Sequence, residues 1–146
     1  MEKKINRLLI QRLVIINLLL LLILPGCSHL GFPTYYDPTT YKSLTDLKPE
    51  ITSLYDGFGS DTINTDKIAT LRLRLAQIYE YENGKGKKNQ ETTAQVKIIR
   101  NIFERHVADR IKSGKWSEDH LNNNKQNIAQ AFDIAIQTER LKNKNE

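Results

Sequence analysis

Val96-Lys97-Ile98-Ile99-Arg100-Asn101-Ile102-Phe103-Glu104-Arg105-His106-Val107-Ala108-Asp109-Arg110-Ile111 decides the fold class. Within it Val96, Ile99, Ile102, Phe103, Val107 and Ile111 recur three and four residues apart. That spacing gathers side chains along one side of an α-helix. The helix begins near Glu91 and closes at Gly114. Arg110 and Lys112 fall in its last turn, where cations suit the negative end of the helix dipole.

Working outward, the same period recurs on both sides. Downstream, Ser117 is a good N-cap, and Leu121, Ile128, Ala131, Phe132, Ala135 and Ile136 form the next stripe. Trp116 precedes that cap and is placed to pack back as a hydrophobic staple. Upstream, Ile68, Leu71, Leu75, Ile78 and Tyr79 form a stripe flanked by Ala69, Leu73 and Ala76, with Asn64 or Thr65 as its cap. Arg72 and Arg74 lie off that stripe and read as a solvated face. Asn83-Gly84-Lys85-Gly86-Lys87-Lys88-Asn89 reads as a flexible basic loop between two helices.

The first helix opens at Asp37-Pro38, an N-cap followed by proline at the first helical position. Tyr41, Leu44, Leu47, Ile51, Leu54, Tyr55 and Phe58 carry its stripe, and Gly57 and Gly59 end it. Pro49 interrupts the run and removes a backbone donor, so a helix kinked or split there is expected. No strand-like alternation of useful length occurs. The expected fold is all-α: a small up-and-down bundle of about four helices over residues 38–142, with 143–146 as a tail.

Few residues suit catalysis or metal binding. His106 and Asp109 are three apart and share a helix face, while Glu104 and His106 are two apart and diverge. A partly buried, hydrogen-bonded histidine explains His106 more simply than a ligand does. Glu118-Asp119-His120 opens the last helix, where its acids complement the dipole. Gly84 and Gly86 with the neighbouring lysines lack the strand and the Gly-Lys-Ser/Thr ending of a phosphate loop. Tyr81 is placed off the stripe near a helix end, where an exposed ring either marks a partner surface or covers the bundle end. No catalytic, cofactor-binding or metal-binding set is assigned.

The N-terminal stretch gives an address. Lys3, Lys4, Arg7 and Arg12 precede the apolar run Leu13 to Leu24, which only Asn17 breaks, and Leu24-Pro25-Gly26-Cys27 follows. Charged start, apolar core and small residue are the order of a secretory signal. The clean core of about a dozen residues is short of the roughly 20 that a comfortable membrane span needs. Cys27 is the only cysteine, so no intrachain disulfide forms. Leu24, Gly26 and Cys27 resemble the lipobox of bacterial lipoproteins, with Pro25 the one departure. The resemblance covers residues 1–28. It implies a signal peptide over 1–26, lipid on Cys27 and a lipidated tether over 27–37. Ser28 after the cysteine implies the outer membrane, facing the periplasm, if the organism has two membranes. Phe32, Tyr35 and Tyr36 either lie at the lipid interface or pack on the domain.

The chain has 22 basic and 17 acidic residues, a formal charge of +5. Four of the basic and one of the acidic residues lie in 1–26, which leaves the remainder at about +2. That is too mild to argue for nucleic acid. The reading that follows is a lipid-anchored cell-envelope binding or adaptor protein, held to the membrane through Cys27. Its bundle groove or surface would be presented to another envelope protein. Size, anchor and helicity, though no motif, look like the small helical lipoproteins called pilotins, which escort secretin subunits. The alternatives are a metal-binding or enzymatic envelope protein centred on His106 and Asp109, or a structural lipoprotein contacting the cell wall.

Overall fold

A computed structural model describes residues 35–142, all within one compact unit. The expectations for the signal peptide, Cys27, Phe32 and the 143–146 tail lie outside the described residues. Four α-helices follow one another: α1 (Pro38–Asp56), α2 (Thr65–Gly84), α3 (Gln90–Ser113) and α4 (Glu118–Arg140). Short 3-10 turns at Gly57–Gly59 and Gly86–Asn89 lie between them. α1 packs on α2 and α4, and α3 packs on the same two helices, so α1 and α3 stand diagonally across the bundle. This is the expected all-α, up-and-down arrangement.

The caps lie where local chemistry puts them. The Asp37 carboxylate accepts from the Thr39 and Thr40 N–H groups, and Asn64 accepts from Lys67 N–H. Ser117 Oγ accepts from His120 N–H. Gly86 and Gly114 sit at φ +74° and +79°, backbone that a side chain disfavours, and they turn the chain out of α2 and α3.

The core is built from the expected stripes. Leu44, Leu47, Ile51 and Leu54 of α1 meet Leu71 and Leu75 of α2, Val96, Ile99 and Phe103 of α3, and Ile128 and Phe132 of α4. The kink or split expected at Pro49 does not occur: α1 runs as one helix across it without a clear bend. Proline inside a helix costs about 3 kcal/mol. Leu44, Leu47, Ile51 and Leu54 flank it and are buried, at about 1.5–3 kcal/mol each. The packed face therefore prevails, and the Pro49 ring sits on the exposed side.

Three apolar residues depart from their expected places, and one of them, Ala69 beside the α2 stripe, is exposed. Ile111 is 61% exposed because the inward position of the last α3 turn belongs to Arg110, which is buried. Its guanidinium donates from Nε to the Phe58 carbonyl at 2.9 Å and from Nη2 to the Ser60 carbonyl at 2.6 Å. Leu73, expected beside the stripe, is 60% exposed. Arg72 and Arg74 do lie outside, but each meets an acid of a neighbouring helix, Glu104 and Glu50 respectively. These pairs are solvent-screened and contribute little. Of the aromatics just before α1, Tyr36 packs its ring 5.8 Å from Tyr41, while Tyr35 is exposed.

Candidate functional site

Antiparallel helices give the bundle two chemically different ends. The end of α1 and α3 gathers aromatic rings. Tyr55, Phe58, Phe103 and Trp116 are buried there, with Trp116 edge-on to Tyr55 and Phe58 at 5.8 and 5.0 Å. Trp116 thus packs back on the first turn of α4, its ring 4.7 Å from His120, and also covers the α1–α3 aromatics as a lid. Its own N–H donates to Phe58 O at 3.0 Å, and its Nε1 is buried without an acceptor among the described residues.

His106 belongs to this lid. Its Nδ1 lies 3.0 Å from the Tyr55 hydroxyl. Burial, with Arg105 alongside, lowers its pKa to about 4, so the ring is neutral at pH 7. Burial also pushes the Tyr55 hydroxyl well above its ordinary value, which keeps its proton on. Asp109 does not join His106. Its Oδ2 pairs with His120 Nε2 at 2.9 Å and its Oδ1 accepts from Ser113 at 3.0 Å. Those two partners hold it below the usual carboxylate range. His106 and Asp109 therefore serve separate contacts. Among the described residues no group of three His, Cys, Asp or Glu side chains gathers around a metal-sized space.

The neutral His106 has a consequence for stability. The unfolded ring titrates near 6.5 and the folded one near 4. Between those values the unfolded chain binds more protons, so stability falls as pH falls through that window. The expected loss at pH 4 is about 2–3 kcal/mol relative to pH 7. Urea melts of wild type and His106→Gln across this range check it. The variant should lack this part of the slope.

The opposite end, where the chain enters α1, is polar and was missed by sequence reasoning. Glu82 and Glu139 are fully buried there, each beside a lysine three residues later. Lys85 Nζ contacts Glu82 Oε1 at 3.0 Å, Thr40 Oγ1 at 2.6 Å and Asp37 Oδ2 at 2.6 Å. Lys142 Nζ contacts Glu139 Oε2 and Asn89 Oδ1, both at 2.6 Å. Asn89 donates from Nδ2 to Glu82, so its side chain is spent here and leaves α3 uncapped. Thr40 donates to Glu82 at 2.5 Å, and the Asp37 backbone N–H donates to Glu139 at 2.7 Å.

Asp37 joins the two halves of this cluster, through Lys85 on one side and Glu139 on the other. Burial works against its charge, but bonds from Lys85, Tyr81 and Thr39 N–H prevail and hold it far below the usual carboxylate range. Burial works against Lys85 as well, and Asp37 and Glu82 outweigh it and raise its pKa. Tyr81 is exposed, as expected, yet committed: its hydroxyl donates to Asp37 at 2.8 Å and its ring lies 4.3 Å from Lys85 Nζ. The stretch 83–89 is therefore no free loop, because Lys85 and Asn89 tie it into the bundle.

No family model, curated protein or solved structure matches the chain. What the two ends can do follows from their own chemistry. The polar end is a clamp in which Asp37, Glu82 and Glu139 each have a cation as partner or a hydrogen-bond donor. The aromatic end is a packed lid. Between them, shallow grooves follow the α1–α2 seam, one of about 280 Å³ between Leu47, Arg74 and Ile78, and one of about 460 Å³ beside Leu54 and Phe58.

Proposed function

We propose that this chain is a lipid-anchored adaptor of the bacterial cell envelope, held by Cys27 and presenting its bundle to another envelope protein. The supporting observation is the treatment of Asp37. This residue, about ten positions after Cys27, caps α1 and bonds Tyr81 of α2, Lys85 just after it, and Glu139 of α4. The point where the tether enters is thus tied to three helices, as suits a domain held from one end. About ten extended residues reach roughly 33 Å, enough for the domain to stand clear of a bilayer. Among the described residues no helix is long and apolar enough to cross a membrane.

The α1–α2 seam offers apolar floor and polar rim, the pattern that takes an amphipathic helix. The separate partners of His106 and Asp109 argue against the metal or enzymatic alternative. Replacing Cys27 by Ser should abolish acylation and leave residues 1–26 attached. Mass spectrometry of protein extracted from its native membrane checks both. An intact Met1 with a free Cys27 thiol in the unaltered protein would refute the reading. Gln77 is exposed and lines the seam, so Gln77→Arg should weaken capture of the partner without disturbing the fold.

A further inference from the structure

α3 and α4 form the side of the bundle opposite the α1–α2 seam. Their register is set by Gln95 Nε2, which donates to Thr138 Oγ1 at 2.7 Å. Three residues on along α3 and four back along α4, Ile98 and Ile134 stand level on the two rims of the α3–α4 groove. They are 53% and 54% exposed, with Ile102 and Ala131 half-buried between them.

The charges around this apolar centre are few and symmetrically placed. From Leu121 to Thr138, α4 carries only Lys125 and Asp133, and both turn to α1, where they pair with Asp56 and Lys48. On α3, three charges turn to α2 instead. Glu104 pairs with Arg72, Arg100 lies 5.5 Å from the Tyr79 ring, and Lys97 borders a groove with Tyr79. Between Glu91 and Arg105, those two end residues alone are left on the α4 side. Both are exposed, and neither forms an ion pair among the described residues. Glu91 stands seven residues before Ile98 and Arg105 seven after it. Seven residues are two helical turns, about 10.5 Å, and drift only about 20° around the helix. Acid, isoleucine and base thus lie nearly in line and evenly spaced.

Such a face is complementary to itself. Consider a two-fold axis that crosses the helices level with Ile98 and Ile134. It lays α3 of a second copy antiparallel on α3, and α4 on α4. The isoleucines then meet their own counterparts, and each Glu91 meets an Arg105. An axis along the helices would set Glu91 against Leu141 and Arg105 against Asn127, which desolvates both charges without a partner. We infer that the α3–α4 side is the interface of an antiparallel two-fold homodimer, centred on Ile98 and Ile134 and closed by two Glu91–Arg105 pairs. The charge-poor centre and charged margin are the pattern of protein interfaces. The face is about 21 Å long from Glu91 to Arg105 and about 20 Å wide across two helices. That is about 400 Å², half of what each partner of a standard complex buries, so the dimer is of the weak, reversible kind. The pair leaves the α1–α2 seams outermost, one on each copy, so two partners can be held at once. With the axis normal to a bilayer both chain entries stand at equal height. The pair is therefore compatible with the proposed anchor and does not rest on it.

The test uses the full-length protein in its native cells, crosslinked before lysis by a short bis-maleimide, with Ile98→Cys as the probe. The unaltered chain, whose one thiol is Cys27, is the control. Ile98→Cys should give a species of twice the mass in which peptide mass spectrometry finds position 98 joined to position 98. Gln77→Cys, on the α1–α2 seam, should not. Glu91→Arg or Arg105→Glu, each added to Ile98→Cys, sets like charges together twice per dimer and should cut the crosslinked yield roughly tenfold. The two reversals together exchange the signs and should restore it. Circular dichroism of the purified full-length variants should stay helical, because both positions are exposed. No product joining position 98 to itself, equal yields at positions 98 and 77, or single reversals without effect overturns the inference. Loss in both single reversals without recovery in the double overturns it as well, since those charges then do not face each other.

Discussion

Truncating Phe103 or Phe132 to alanine lowers the free energy of unfolding by about 3–5 kcal/mol in each case. Both rings are fully buried, one on α3 and one on α4. Their removal takes away the transfer free energy of a benzyl group and leaves a cavity that surrounding side chains fill only in part. Small domains hold about 5–15 kcal/mol in all, so either variant loses much of its stability. Phe103 also stacks on Tyr55 at 6.5 Å, which links its loss to the aromatic lid. Urea melts followed by circular dichroism at neutral pH measure both. Unchanged midpoints would show that the two helices do not face inward as described.

Glu139→Ala is expected to cost as much, about 3–5 kcal/mol, for a different reason. Glu139 is fully buried, and it accepts from Lys142 Nζ, Thr92 Oγ1 and the Asp37 N–H. Its loss leaves the buried Lys142 ammonium without a counter-charge and the part-buried Asp37 N–H without its acceptor. Removing one partner of such a pair is far worse than never having built it. The distinguishing measurement is therefore the double variant Glu139→Leu with Lys142→Met. It should recover about 1–3 kcal/mol of the single loss, because no unpaired charge remains. Recovery stays incomplete, since the Asp37 N–H still lacks its acceptor. A single variant as stable as wild type would mean that the clamp contributes nothing to folding.

The fold was legible because it depends on a repeated period. Phe103, Phe132, Leu71 and Ile51 each sit three or four residues from another apolar side chain, and that rule survives without knowledge of any neighbour. Cap chemistry is equally local, so Asp37, Asn64 and Ser117 were readable. Pro49 was misjudged because its penalty is local while the burial that overcomes it belongs to all four helices. The clamp was hidden for the opposite reason. Glu82 falls four residues after Ile78, and Glu139 four after Ala135, so both continue the apolar stripes inward. An acid in that place reads as the stripe's end unless its partner is known. The one usable signal was the shared Glu-x-x-Lys spacing of Glu82 with Lys85 and of Glu139 with Lys142. His106 showed the same limit: its spacing to Asp109 was correct along α3, but Tyr55 and His120 come from other helices.

The bond from the Asp37 N–H to Glu139 also sets how the domain bears mechanical load. An even number of antiparallel helices brings the chain out of α4 beside the point where it enters α1. Tension between those two points falls on the clamp alone, and the bundle would open there like a zipper, one contact after another. A pull between the aromatic end and the start of α1 instead runs along the helix axes, so the core resists in shear, with many contacts loaded at once. The same domain is thus weak to a pull across one end and strong to a pull along its length.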